Sequence, residues 1–141
     1  MASASVLAPG RARGLALVLE EPLSLWGGTD PEDGTITDRR HPQHGLTFAG
    51  TVLVMPAGRG SSSSSSVLAE AIRYGTAPVA IVLAEPDPIL ALGAVVATEL
   101  YETTCPVVVA PPPVYDRIGT GDEVEVIATE GALSVTSRPR A

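Results

Sequence analysis

The stretch that decides the fold is TVLVMPAGRGSSSSSSVLAEAIR, residues 51–73. Its first part belongs to the clearest predicted strand, residues 47–55, which ends at Pro56 because proline cannot donate a backbone hydrogen bond. Beyond the serines the apolar spacing becomes helical, and one face carries Val67, Leu68, Ala71 and Ile72. Gly75 then predicts the end of the helix. A strand, a glycine-rich loop and a helix therefore follow one another directly.

The six consecutive serines at 61–66 have two interpretations. Such a run is most often a flexible linker, but a linker here would leave two pieces that are each marginal for independent folding. The other interpretation is an anion site, because the first turn of a helix has unpaired N–H groups and partial positive charge. Gly58 and Gly60 allow close approach of the backbone to a ligand, and Ser61 and Ser62 add hydroxyl groups. The adjoining strand and helix favour the anion site.

Short apolar runs elsewhere predict further strands at 15–19, 35–37, 79–83, 106–110, 123–128 and 132–136. The last two form a predicted hairpin through Thr129-Glu130-Gly131. Asp87-Pro88 begins a second helix, whose inward-facing residues are predicted to be Ile89, Leu92, Val96 and Leu100. About seven strands and two helices in the middle of the chain predict one domain over residues 1–141. We expect a mixed α/β fold, with a barrel-like sheet and helices on one side.

The composition narrows the classes of function. A net charge of −7 and 4% aromatic residues argue against binding of nucleic acid. The chain contains no lysine, which excludes Schiff-base chemistry and a P-loop lysine. The lone Cys105 cannot hold an iron–sulfur cluster by itself and is predicted to be a small buried residue at a strand entrance. With no secretory signal and no apolar run of about 20 residues, we expect a soluble, cytoplasmic protein that does not enter membranes.

Several blocks spread over nearly the whole chain form one pattern. They are residues 22–28 with Asp30 and Gly34, Gly45 and Gly50, residues 52–56, Gly58-Arg59-Gly60-Ser61, Ser65, Val67-Leu68, Ala77-Pro78, Ala80-Ile81 and residues 119–122. This pattern resembles the small subunit, or swivelling domain, of the aconitase X family. The paired GG-D and GRGS blocks make the resemblance fairly specific.

The resemblance implies a hydro-lyase that removes water from a hydroxy-acid substrate, with cis-3-hydroxy-L-proline and a phosphomevalonate-like compound as the known classes. Family members have a large subunit, whose cysteines hold an iron–sulfur cluster, and a small subunit that forms a swivelling β/β/α domain over the site. This chain would be the small subunit, inactive alone and without a metal or cofactor of its own. Its partners would be the large subunit and a small anionic substrate.

The resemblance also implies the residues of the site. Ser61 takes the position of the serine that abstracts the proton in aconitase-like enzymes, and it would have to act as an alkoxide. The substrate-binding candidates are Gly60, Ser62, Arg59, Gly27, Gly28 and Asp30. The sequence departs from ordinary aconitases at Ser63, where those enzymes have arginine, and Arg59 is the nearest residue that could supply the missing charge.

Two other functions remain open. Swivelling domains also serve as phosphohistidine carriers, in which case His41 or His44 would be the acceptor, although both are predicted to be solvent-exposed in the polar loop 39–45. A stand-alone protein that binds small anions would use the same serine loop. The turn at Trp26 is equally open to two interpretations, since it either lines a cleft opposite the serine loop or forms a tight turn with an aromatic plug.

Overall fold

The structure is a computed structural model that describes residues 4–59, 62–129 and 131–139. Its strands are β1 Ser5–Ala8, β2 Gly10–Val18, β3 Thr29–Asp30, β4 Thr35–Ile36, β5 Val52–Met55, β6 Ala80–Leu83, β7 Val107–Val109, β8 Glu123–Thr129 and β9 Ala132–Arg138. Its helices are α1 Leu25–Gly28, α2 Ser64–Tyr74, α3 Pro88–Tyr101 and α4 Pro112–Tyr115. Seven strands form one sheet in the order β1-β7-β6-β5-β2-β8-β9, and β3 pairs only with β4.

The middle of the sheet is parallel and its flanks are antiparallel. Strands β2, β5, β6 and β7 run in the same direction, whereas the pairs β1–β7, β2–β8 and β8–β9 are antiparallel. Strands β5, β6 and β7 are buried throughout, as parallel strands covered on both faces are. The two flanks approach each other, because β1 also contacts β8 and β9. The sheet is a curled half-barrel, which confirms the predicted mixed α/β fold.

Two apolar cores lie on opposite faces of this sheet, because successive side chains of a strand point to opposite sides. Leu53 and Met55 of β5 face the helices and belong to the larger core with Leu68 and Leu90. The alternate residues face the inside of the curl, where the second core contains Val52, Val54, Val82, Val108, Val124, Val126 and Ala128. Helices α1, α2 and α3 therefore cover one face, and the curl of the sheet together with Val114 and Tyr115 of α4 covers the other.

Helix α2 follows β5 as predicted. Leu68, Ala71 and Ile72 are buried, and Val67 packs against the same core. The helix ends at Gly75, which adopts a left-handed φ of 78° and donates its N–H to the carbonyl groups of Ala71 and Ile72. The predicted helix, its inward face and its glycine end are confirmed.

Helix α3 begins where the sequence predicted but presents a different face to the core. The carboxylate of Asp87 accepts the N–H groups of Ile89 and Leu90 at 2.9 and 3.2 Å, which confirms the predicted cap. The predicted inward stripe is wrong: Leu92 and Leu100 are 55% and 66% exposed, and Ile89 and Val96 are only half-buried. The buried residues are instead Leu90, Ala91, Gly93, Ala94 and Ala97, because small residues allow α3 to lie close to α2.

Other elements differ from the prediction in extent. The described residues form nine strands and four helices, since β1, β3, the first half of β2 and the two four-residue helices were missed. The predicted strand 47–55 pairs in the sheet only from Val52 onwards, because a turn at residues 49–50 precedes it. The predicted C-terminal hairpin is confirmed as β8 and β9. No helix in the described part of the chain is both long and apolar enough to span a membrane.

Candidate active site

The carboxyl ends of four parallel strands lie at one edge of the sheet. The segments that leave three of them are residues 19–28 after β2, the loop that begins at Pro56 after β5, and residues 84–87 after β6. In open α/β sheets, ligands bind outside this edge because the connecting loops and helix N-termini converge there. The glycine-serine block and the Trp26 turn both belong to it.

Hydrogen bonds join the turn after β2 to the loop after β5. The N–H of Arg59 donates to the carbonyl of Leu23 at 3.2 Å, next to a bridge between Leu23 and Gly58. The N–H of Trp26 donates to the hydroxyl oxygen of Ser64 at 3.2 Å. Ser64 is only 5% exposed, so its hydroxyl group is on the buried side of this partly buried contact. The Trp26 turn is therefore fixed against the first turn of α2.

The segment after β6 closes the other side of the loop. The N–H groups of Ala84 and Glu85 both donate to the carbonyl of Pro56 at 3.1 Å. A Cβ atom at Gly58 would lie 1.9 Å from a carboxylate oxygen of Asp87, the residue that caps α3, so only glycine fits there without displacing that cap. Asp87 thus occupies the N-terminus of α3 with its own carboxylate, and Arg59, Ser64 and Ile89 line a small pocket beside it.

The family model of the aconitase X swivel domain matches residues 1–135. The chain belongs to the aconitase X swivel-domain family. This confirms the resemblance inferred from the GG-D and GRGS blocks.

Named relatives of this aconitase X domain are of two kinds. The cis-3-hydroxy-L-proline dehydratase of Pseudomonas aeruginosa is 50% identical over 101 residues, which cover 72% of this chain but only 17% of that protein. The phosphomevalonate dehydratase small subunit of Methanothermobacter thermautotrophicus is 38% identical over 131 residues, which cover 91% of this chain and 94% of that subunit. The chain therefore spans a small part of one relative and nearly all of the other.

A solved structure shows the same fold. The crystal structure of Thermococcus kodakaraensis aconitase X in its holo form matches this chain with a TM-score of 0.80 and 32% sequence identity. The match covers 95% of this chain and 96% of that one. The half-barrel with helices on one face is thus the fold of an aconitase X swivel domain.

The structure places only part of the predicted serine site. Gly60 and Ser61 lie outside the described residues. Ser62 is exposed, and its carbonyl accepts hydrogen bonds from the N–H of Ser65 at 3.3 Å and from its hydroxyl at 2.9 Å. The side chain of Arg59 is exposed on the preceding loop. Arg59 and Ser62 therefore flank the predicted base along the chain, with side chains open to a ligand.

The predicted binding residues of the turn after β2 differ in their surroundings. Gly27 is exposed and has a left-handed φ of 81°, which turns the chain sharply after Trp26. Gly28 is buried, and its carbonyl accepts the N–H groups of Thr37 and Asp38. Asp30 closes its own turn by accepting the N–H of Glu32 at 2.9 Å. Trp26 is 57% exposed, so the interpretation as an aromatic plug is wrong.

His41 does not support the carrier alternative. His41 is 5% exposed, which contradicts its predicted exposure. Its Nδ1 accepts the N–H of Gln43 at 3.0 Å, so its Nε2 carries the proton and donates to the carbonyl of Glu21 at 3.1 Å. Both ring nitrogens are engaged in holding the loop, and neither is available as a phosphate acceptor. His44 is exposed, as predicted.

Cys105 does not fit a cluster ligand. It is buried just before β7, its thiol contacts the carbonyl of Pro78 at 3.4 Å, and burial raises its pKa to about 12. A ligand to iron must be a thiolate, which this environment disfavours. Within residues 4–59, 62–129 and 131–139, no three side chains of His, Cys, Asp or Glu are grouped to hold a metal. The residues of this chain therefore do not fit an iron–sulfur cluster.

Sequence reasoning missed the role of Ser64, which it treated as part of a serine scaffold. The signal was present, because Ser64 precedes the buried Leu68 by four residues and so shares its helical face. The sequence predicted Asp87 only as a helix cap, because no residue near it in the sequence indicates that the loop at Gly58 lies against its carboxylate. That contact depends on the pairing of β5 with β6.

We predict that Ser64→Ala lowers the free energy of unfolding by about 1 kcal/mol, because it leaves the N–H of Trp26 without its acceptor. Urea unfolding followed by circular dichroism measures this change. Ser66→Ala is the matched control, since Ser66 is exposed in the same helix turn and alanine favours a helix. Equal destabilisation by both substitutions would contradict the role given to Ser64.

Proposed function

We propose that this chain is the small subunit of an aconitase X-type dehydratase, in which Ser61 takes the proton from the substrate carbon and the start of α2 binds the substrate's anionic group. The large subunit completes the site and supplies the iron–sulfur cluster. Family membership and the small-subunit relatives support the class of enzyme.

The observation that carries the proposal is the contact between Trp26 and Ser64 at the carboxyl edge of the sheet. It brings together the two segments that contain the predicted site residues, the turn with Gly27 and the glycine-serine loop. Neither segment is covered by other parts of the described chain, since Trp26, Gly27, Arg59 and Ser62 are all exposed. The arrangement is half of a cleft that faces outwards.

The role of Ser61 follows from the bonds that dehydration breaks. Dehydration breaks a C–H bond and a C–O bond on neighbouring carbons, so that water leaves and a C=C bond remains. As an alkoxide, Ser61 accepts the proton of the C–H bond while the electron pair of that bond forms the new double bond and the hydroxyl group leaves with the electron pair of the C–O bond. The departing hydroxide takes up a proton to become water, and Ser61 loses its proton again to restore the alkoxide. The amide dipoles at the start of α2 and the charge of Arg59 stabilise the alkoxide, and the same groups attract an anionic substrate.

The two helix starts at this edge have different roles in the proposal. Asp87 fills the start of α3 with a carboxylate, so a second anion is repelled there. Helix α2 has no acidic residue in its first turn. A carboxylate or phosphate of the substrate is therefore directed to α2, where Ser62 adds a hydroxyl donor.

The test is to co-express the chain with the aconitase X-type large subunit of the same genome and to assay the purified complex. We expect the complex to dehydrate either cis-3-hydroxy-L-proline or mevalonate 5-phosphate, while the chain alone dehydrates neither. Product formation is followed by mass spectrometry, with the large subunit alone as a control.

Two outcomes would contradict this proposal. One is that no complex forms with a correctly folded, cluster-loaded large subunit. The other is that the large subunit alone dehydrates as fast as the complex. If the chain alone binds a substrate anion tightly without a partner, a stand-alone anion-binding function replaces the dehydratase.

A further inference from the structure

The outward face of α3 carries an apolar stripe. Ile89, Leu92, Val96 and Leu100 follow one another at helical spacing beside the buried face of the helix. Leu92 and Leu100 are exposed, Ile89 and Val96 are half-buried, and the exposed Val95 is adjacent in sequence to Val96. At about 1.5 Å per residue, the stripe extends for roughly 16 Å along the helix. It is the sequence-predicted inward stripe, displaced to the surface.

A stripe of this kind is unusual on a surface that water covers. The outer face of a solvated helix ordinarily carries charged side chains, yet Glu99 is the one charged residue between Pro88 and Tyr101. Contiguous exposed apolar surface marks a site of interaction with another protein. The exposed Glu99 lies in the last turn of the helix, beside the end of the stripe.

The stripe begins at the candidate active site. Ile89, its first residue, lines the same small pocket as Arg59 and Ser64. A partner that covers the start of α2 to complete the cleft must pass over the N-terminal end of α3. The stripe continues from that point along the helix, so one surface of the partner can contact both.

These observations distinguish between possible occupants. A second copy of this chain seated on the stripe would cover the end of α3 and obstruct the approach to the cleft. In the Pseudomonas dehydratase the matching segment is only 17% of the protein, so there the equivalent domain is joined to a much longer polypeptide. A large subunit that completes the site would explain why the stripe begins at the cleft and why its exposed side chains are apolar.

We propose that the stripe on α3 is a docking surface for the large subunit, continuous with the cleft. This inference rests on the proposed function, because the large subunit is the partner named there. The burial of Leu92 and Leu100 against that subunit would anchor the small subunit beside the serine loop.

The test is the double variant Leu92→Gln/Leu100→Gln in the full chain. Glutamine forms helices nearly as well as leucine, and both positions are exposed, so the melting temperature should change by only a few degrees. We expect the dissociation constant for the large subunit to rise about tenfold to a hundredfold, as for loss of apolar anchors at an interface. Titration calorimetry measures it. Leu46→Gln is the matched control, because Leu46 is 48% exposed but lies on the loop after β4.

The outcomes separate this inference from the proposed function. If the wild-type chain forms an active complex and the double variant binds with unchanged affinity, the docking surface is wrong and the proposed function stands. If the wild-type chain binds no large subunit, the proposed function fails first. A chain that is dimeric by light scattering and becomes monomeric in the double variant, with large-subunit binding retained, assigns the stripe to a second copy and overturns the proposal.

Discussion

Ser61→Ala in the complex with the large subunit is expected to lower kcat for dehydration by about 10²- to 10⁴-fold, the usual cost of losing a general base. KM should change much less, because the methyl group of alanine removes the proton acceptor while the amides at the start of α2 still bind the anion. Steady-state kinetics with each of the two substrate classes measures both constants.

Ser66→Ala is the control within the same serine run. Ser66 is exposed two residues into α2, and its replacement should leave kcat unchanged. A Ser61→Ala complex that is loaded with its cluster and retains more than a tenth of the wild-type kcat would remove Ser61 from the chemistry. In that case an unchanged KM would still be consistent with binding of the substrate anion at the start of α2.

Gly93→Ala is expected to lower the free energy of unfolding by up to about 2 kcal/mol. A Cβ atom at this position would lie 2.5 Å from the carbonyl oxygen of Ser65 and 3.2 Å from Cβ of Leu68, both on α2. Overpacking of this kind costs about 1–3 kcal/mol, and the better helix propensity of alanine offsets about 1 kcal/mol of it. The melting temperature should fall by up to roughly 8 °C in differential scanning calorimetry.

The same substitution should also lower the activity of the complex, because it displaces residues next to the candidate active site. Ser65 lies in the first turn of α2, so relief of the clash moves that turn relative to Trp26. We expect the activity of the complex to fall roughly tenfold to a hundredfold, as misplacement of catalytic groups by about 1 Å does. Gly119→Ala is the matched control, since a Cβ there meets only an ordinary contact of 3.5 Å with Asp122. A stabilised Gly93→Ala chain would show that the helices are not in close contact.

The strand, loop and helix at residues 52–74 could be predicted because each depends on local spacing. The buried run of β5, the glycines and the face of α2 are properties of neighbouring residues. The N-cap Asp87 and the hairpin of β8 and β9 are local in the same sense. The fold class followed from the order of these elements and from the family pattern.

The orientation of α3 could not be predicted, because it depends on what lies opposite. Periodicity placed the larger residues Leu92 and Leu100 inside, but α2 approaches so closely at Gly93 that only small residues fit between the helices. The burial of His41 could not be predicted for the same reason. Its ring bonds to the carbonyl of Glu21 and to the N–H of Gln43, and these backbone groups surround the ring only in the folded chain. The candidate site was predicted by residue and motif, whereas the contact of Trp26 with Ser64 required the structure.

The pairing of β1 with β7 has a consequence for how the chain is made. Ser5 lies opposite Val109, and β2 likewise pairs with β8 over a long separation in sequence. Contacts so distant along the chain form slowly, because a large loop must close before they stabilise anything. Strand β1 therefore remains without its partner until Val109 has been synthesised, whereas β2 can pair with β5 before β8 is available. During that interval the newborn chain exposes apolar strand edges, and binding by a chaperone or by the large subunit at this stage would protect them.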